Sequence, residues 1–131
     1  MFIRDLNECE EFRAGDNSIL RELLHPDKAE IAINYSLAHA IIKPGQTSLP
    51  HKLKTTEVYY ILEGEGLMHI NGKKQRVHQG HAIYIPPNSL QFIQNIGKND
   101  LIFLCIVDPA WKKEDETLPD AKKNKDSRRT F

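Results

Sequence analysis

The segment PHKLKTTEVYYILEGEG, residues 50–66, sets an imidazole at His51 and a carboxylate at Glu57, six positions further on and entering a β-like run. Imidazole nitrogen and carboxylate oxygen are donors for divalent first-row ions, and the same two groups form a base and an acid for moving a proton. Tyr59 follows Glu57 by two residues, so strand alternation puts its phenol on the same face, where its oxygen could join a ligand shell. Thiolate chemistry is not indicated. The only cysteines, Cys9 and Cys105, are far apart and lack CxxC spacing; Cys105, in the apolar run LIFLCIV, reads as a small core residue.

The elements that must position these groups are short strands. From about residue 31 to 107, β-like segments are divided by turn signals at intervals of roughly 8 to 12 residues, the pattern of an all-β sandwich or barrel. The candidates are IAINYSLAHAII, VYYIL, LMHI, KQRV, AIYI, QFIQN and LIFLCIV, punctuated by KPGQ, EGEG and PPN. Asn71-Gly72 is the preferred pair for a two-residue type I′ hairpin, in which both residues need positive φ. VYYIL is apolar on both faces, so its outer face requires a cover, supplied by the first thirty residues or by a second copy of the chain; a homodimer is expected. Residues 1–30 are therefore read as an arm over the barrel or its dimer interface, with NSILRELLHP as a short helix or an edge strand. Residues 31–111 form the barrel, and the charged segment 112–131 is read as a solvated, disordered tail.

Composition narrows the function. With 18 basic and 18 acidic side chains the formal charge is zero, which argues against nucleic acid as a partner. The longest apolar run is far shorter than the ~20 residues that span a bilayer, and the acidic, interrupted amino terminus lacks a signal-peptide pattern, so no membrane association and a cytoplasmic location are expected.

Two spaced motifs carry a family resemblance. Gly45, His51, Glu57 and Gly64 match G-x5-H-x-H-x3-E-x6-G with Leu53 at the second His; Gly80, Pro86 and Asn95 match G-x5-P-x-G-x2-H-x3-N with Asn88 at the Gly and Gln91 at the His. The chain thus resembles small single-domain cupins, conserved β-barrel proteins of the cupin-2 type. That resemblance implies a double-stranded β-helix, or jelly-roll barrel, with a small-molecule pocket inside. Members that bind metal hold it through three His and one Glu, which here correspond to His51, Leu53, Glu57 and Gln91.

On that basis His51, Glu57 and Gln91 are the candidate ligands of a modified site for a divalent metal (Mn, Fe, Ni or Zn). Tyr59, His39, Tyr84 and Leu53 are the candidate pocket residues. An occupied site implies a metal-dependent isomerase, lyase or dioxygenase; an unoccupied one implies proton transfer by His51 and Glu57, or a metal-free sugar-binding or sensor barrel. A lone carboxylate in an apolar barrel needs compensation, by an ion, by a His51 cation or by its own proton. Of Met68 and His69, adjacent in one strand, one faces inward.

Overall fold

The computed structural model describes residues 1–118. Eleven strands account for most of its regular structure: β1 (Glu11–Arg13), β2 (Ile19–Leu24), β3 (Ser36–Ile42), β4 (Lys52–Leu53), β5 (Thr56–Glu63), β6 (Glu65–Ile70), β7 (Lys73–His78), β8 (Ala82–Ile85), β9 (Gln91–Asn95), β10 (Leu101–Asp108) and β11 (Glu116–Thr117). A six-stranded sheet, in the order β1-β2-β3-β10-β5-β8, faces a three-stranded sheet, β7-β6-β9, while β4 and β11 pair by themselves. The paired strands are antiparallel. This is the jelly-roll architecture that the strand pattern and the motifs predicted. No helix among the described residues is long and apolar enough to cross a membrane.

Alternation decides what lies between the sheets. In β10, Leu101, Phe103, Cys105 and Val107 are buried and the residues between them are half-buried, so the odd positions face inward. Their ladder partners follow suit: Ala38 and Ala40 of β3, and Glu57, Tyr59 and Ile61 of β5. From the small sheet, Met68, Val77 and Ile93 complete the core. Met68, not His69, is therefore the inward residue, and His69 stacks on Phe92 outside at 4.1 Å between ring centroids. Phe103 is fully buried and packs 4.5 Å from the Tyr59 ring, a contribution of about 2–3 kcal/mol from burial alone.

The turns behave as their residues require. Asn71 and Gly72 take φ of 50° and 83° between β6 and β7, the hairpin predicted for that pair. Gly64 sits at φ 92° where a Cβ would lie 2.7 Å from the Asp100 carbonyl oxygen, so no other residue fits without moving backbone.

At both ends of the chain the structure adds to or corrects the sequence reading. NSILRELLHP forms strand β2, not a helix, and with β1 it extends the large sheet beyond β3. Segment 112–118 is not a free tail. Thr117 and Glu116 pair with Lys52 and Leu53, Lys54 N–H donates to Asp115 O at 3.0 Å, and Leu118 is buried. One apolar side chain and a vacant strand edge were enough to fix a segment whose composition is that of solvated chain. The remainder of the predicted tail, 119–131, lies outside the described residues.

Candidate functional site

Four buried polar side chains, His51, Glu57, Tyr59 and Gln91, are brought together by β5, β9 and the segment leading into β4. His51 precedes β4 and is bridged to Gln91 at the start of β9, with His51 N–H donating to Gln91 O at 3.0 Å and Gln91 N–H returning to His51 O at 2.9 Å. Glu57 and Tyr59 project from β5 on the same face. All four are nearly inaccessible: His51, Glu57 and Tyr59 are 2% exposed and Gln91 is 1%. Leu53 is equally buried, two residues from His51, and presents an isobutyl group that has no lone pair.

The polar atoms form a directed chain. Tyr59 OH donates to Gln91 Oε1 at 3.1 Å, and Gln91 Nε2 donates to Glu57 Oε1 at 2.8 Å. Burial pushes the Glu57 carboxyl up to about 7, against the opposing effects of His51 and the Gln91 hydrogen bond and with added help from Asp16. Near neutral pH this group is poised between acid and carboxylate. Burial, followed by the Glu57 charge, also raises the Tyr59 phenol well above its ordinary value, so it keeps its proton and serves as a donor to Gln91.

Asp16 is the residue that sequence reasoning missed. It lies in the β1–β2 turn, where Asn17 takes φ 75°, and is 6% exposed. Its Oδ1 accepts from Ser18 N–H at 3.1 Å and Ser18 Oγ at 2.6 Å, and its backbone carbonyl accepts from Leu49 N–H at 2.6 Å. The fixed carboxylate then stands with Oδ2 3.9 Å from His51 Nδ1, which donates to Leu49 O at 3.1 Å. The hydrogen bond to Leu49 fixes the ring by Nδ1, with the Asp16 carboxyl beyond hydrogen-bond distance beside it, and leaves Nε2 as its other functional edge. The run AGDNS signals a turn, but nothing in its spacing connects it to His51.

Two of the candidate pocket residues lie elsewhere. His39 is paired with Leu104 and Arg21 on the outward face of the large sheet, because the inward positions of β3 are Ser36, Ala38, Ala40 and Ile42. Burial, then the Arg21 charge, hold its imidazole below its ordinary value. Tyr84 is 60% exposed; its neighbours Ile83 and Ile85 are the ladder partners of Tyr59 and Glu57, so alternation carries its ring outward, to the rim of a surface cleft. Tyr59 and Leu53 remain inside, with His51, Glu57 and Gln91.

The donor set does not fit an ion held by three imidazoles and a carboxylate. Position 53 offers nothing, the carbonyl of Gln91 is engaged by Tyr59, and its amide hydrogens point at Glu57. Among the described residues no three His, Cys, Asp or Glu side chains converge closely enough to hold a metal. What the arrangement can do is hold and move a proton. It has an oriented imidazole, a carboxyl near its titration point and a buried second carboxylate behind the imidazole.

Comparison with known proteins gives concordant results. The profile of the cupin domain matches residues 38–107. The chain is 46% identical over 115 residues to an uncharacterised protein of Methanocaldococcus jannaschii, covering 87% of this chain and 91% of that one. It is 34% identical over 98 residues to an oxalate-binding protein of Thermotoga maritima, covering 72% and 79%. Among solved structures, a predicted oxalate decarboxylase from Thermotoga maritima superposes with a TM-score of 0.73 at 25% identity, over 82% of this chain and 99% of that one.

Proposed function

This chain belongs to the cupin-domain family, and from that premise we propose that it is a metal-independent cupin barrel that binds a small uncharged ligand bearing hydroxyl or carbonyl groups and exchanges a proton with it. His51 Nε2 is the base, Glu57 the acid, Gln91 the group that positions Glu57, and Asp16 the carboxyl beside His51. The observation that carries this reading is the Tyr59–Gln91–Glu57 hydrogen-bond chain, which uses both ends of the Gln91 amide within the protein. Charge favours an uncharged ligand. Burial raises the Glu57 carboxyl, and an anion brought beside it without a metal would itself have to be desolvated among buried groups that already disfavour negative charge.

Metal and ligand measurements on tag-free protein, purified without chelators, test the reading. Elemental analysis is expected to find substoichiometric Mn, Fe, Ni and Zn in the parent, with no further uptake after incubation with each ion. Near-stoichiometric metal in the parent, lost in both His51→Ala and Glu57→Ala, would overturn it. A second reading rests on the 34% identity to the oxalate-binding protein: oxalate as ligand, carried by a divalent metal. Calorimetric titration of oxalate with and without Mn²⁺ separates the two. Oxalate binding that appears only with the ion supports the second reading; binding of neutral sugars or polyols without it supports the first.

A further inference from the structure

Strand β7 is one edge of the small sheet and β8 one edge of the large sheet, and a cleft of about 420 Å³ lies between them. Met68, Ile70, Val77 and Ile83 give it an apolar floor, while Lys73 and Lys74 stand on its rim. No Asp or Glu lines it. Among the described residues neither lysine takes part in an ion pair. The inward face of β7 carries Lys73, Gln75 and Val77, since Val77 is its buried residue, so Lys73 shares the face of the trough while Lys74 reaches it from the outer side of the same edge.

The cleft is distinct from the polar chain described above. His51, Glu57, Tyr59 and Gln91 do not line it, although Ile70 and Ile83 are the ladder partners of Gln91 and Tyr59. Its volume is that of a small-molecule site. An apolar floor with two uncompensated ammonium groups at one side selects for two properties together. A polyanion would leave the floor wet, and a neutral oil would leave the ammoniums unused.

We infer that this seam is a binding site for a medium-chain carboxylate, an apolar body ending in a single carboxylate, with the body on Met68, Ile70, Val77 and Ile83 and the anionic end at Lys73 and Lys74. The apolar body supplies most of the affinity by leaving water, and the lysines select the anion over its neutral analogue.

The test uses the full chain with anilinonaphthalene sulfonate as a fluorescent reporter, displaced by decanoate or by decanol at low and at high ionic strength. Decanoate is expected to displace the dye at low salt and more weakly at high salt, and decanol to bind less well and without salt dependence. Lys73→Glu should weaken decanoate roughly fivefold, the scale of one partly exposed ion pair, and leave decanol alone. Arg76→Glu makes the same charge change on the same strand at an exposed position off the cleft, and should leave decanoate within about twofold. Equal losses in the two variants would show a general field in place of a site. Decanol matching decanoate at low salt, or no dye and no decanoate bound, would overturn the inference as well.

Discussion

Replacing Glu57 by Gln isolates the energetic consequence of burying a carboxyl in this barrel. Gln is isosteric, keeps an oxygen to accept from Gln91 Nε2 and cannot ionise. Moving the Glu57 carboxyl from 4.5 to about 7 corresponds to about 3 kcal/mol between its protonated and ionised forms. The folded-state value lies above the unfolded one, so between pH 4.5 and about 7 the folded chain binds more protons than the unfolded chain, and stability falls as pH rises through that window. Below the window the acid is neutral in both states and the penalty is absent; above it the penalty is complete. Denaturant titrations of parent and variant across this window, at one protein concentration and one ionic strength, give the difference directly. The variant should gain about 3 kcal/mol relative to the parent between the lower and upper limits, roughly 10 °C in Tm for a domain of this size. Other titrating groups are shared by the two proteins and largely cancel. A difference that is flat with pH would mean that Glu57 is solvated. A difference of opposite sign would mean that the carboxylate form is the stabilised one, as with a bound cation, and its disappearance after chelation would identify that cation as a metal.

Three other expectations follow from the same geometry. Asp16→Asn keeps an acceptor for Ser18 but removes a charge that raises the Glu57 carboxyl, so the midpoint of the pH-dependent stability change should move to lower pH, read by the same titrations. The double variant Leu53→His with Gln91→His restores imidazoles at both changed positions and should bind Zn²⁺ or Mn²⁺ measurably more tightly than the parent in calorimetry; unchanged affinity would show that position 53 does not face His51 and Glu57. We propose that the outer face of the large sheet, where Tyr60 is 41% exposed, is covered by a second copy of the chain, so Tyr60→Glu should shift sedimentation toward monomer, and an already monomeric parent would remove the proposal.

The fold was legible because its signals are local. Asn71-Gly72 names its own turn, and the alternation in LIFLCIV assigns an inward face without any knowledge of the partner strands. His51, Glu57 and Gln91 were singled out by motif spacing as candidate metal ligands; in the structure Gln91 is joined to Glu57 by its side chain and to His51 by backbone hydrogen bonds. His39 was misassigned because β3 carries apolar residues on both faces, so its sequence does not mark the inward side; the register with β10 does. Tyr84 failed for a different reason. Its strand is a sheet edge, where an aromatic residue can lie half in solvent at little cost. Asp16 was beyond reach because its contact with His51 spans 35 positions and depends on the Leu49 backbone bond, which no periodicity announces. Segment 112–118 shows the limit of composition: a two-residue strand with open backbone groups can order a charged segment that also buries a single leucine.

The pairing of β11 with β4 also places the site in time. During synthesis, residues 50–57 emerge early, and the bridge from His51 to Gln91 can close once about forty more residues have followed. The strand that carries Leu53 gains its remaining partner only when Glu116 and Thr117 have left the ribosome, and β5, which holds Glu57, must wait for β10 to fill the space beside it. The buried carboxyl is thus enclosed late, by long-range strand pairings, after most of the apolar residues around it are available to exclude water. A nascent chain that has released only its first hundred residues would carry Glu57 on a β5 that still lacks β10 at its side, with Val107 not yet in place opposite the carboxyl.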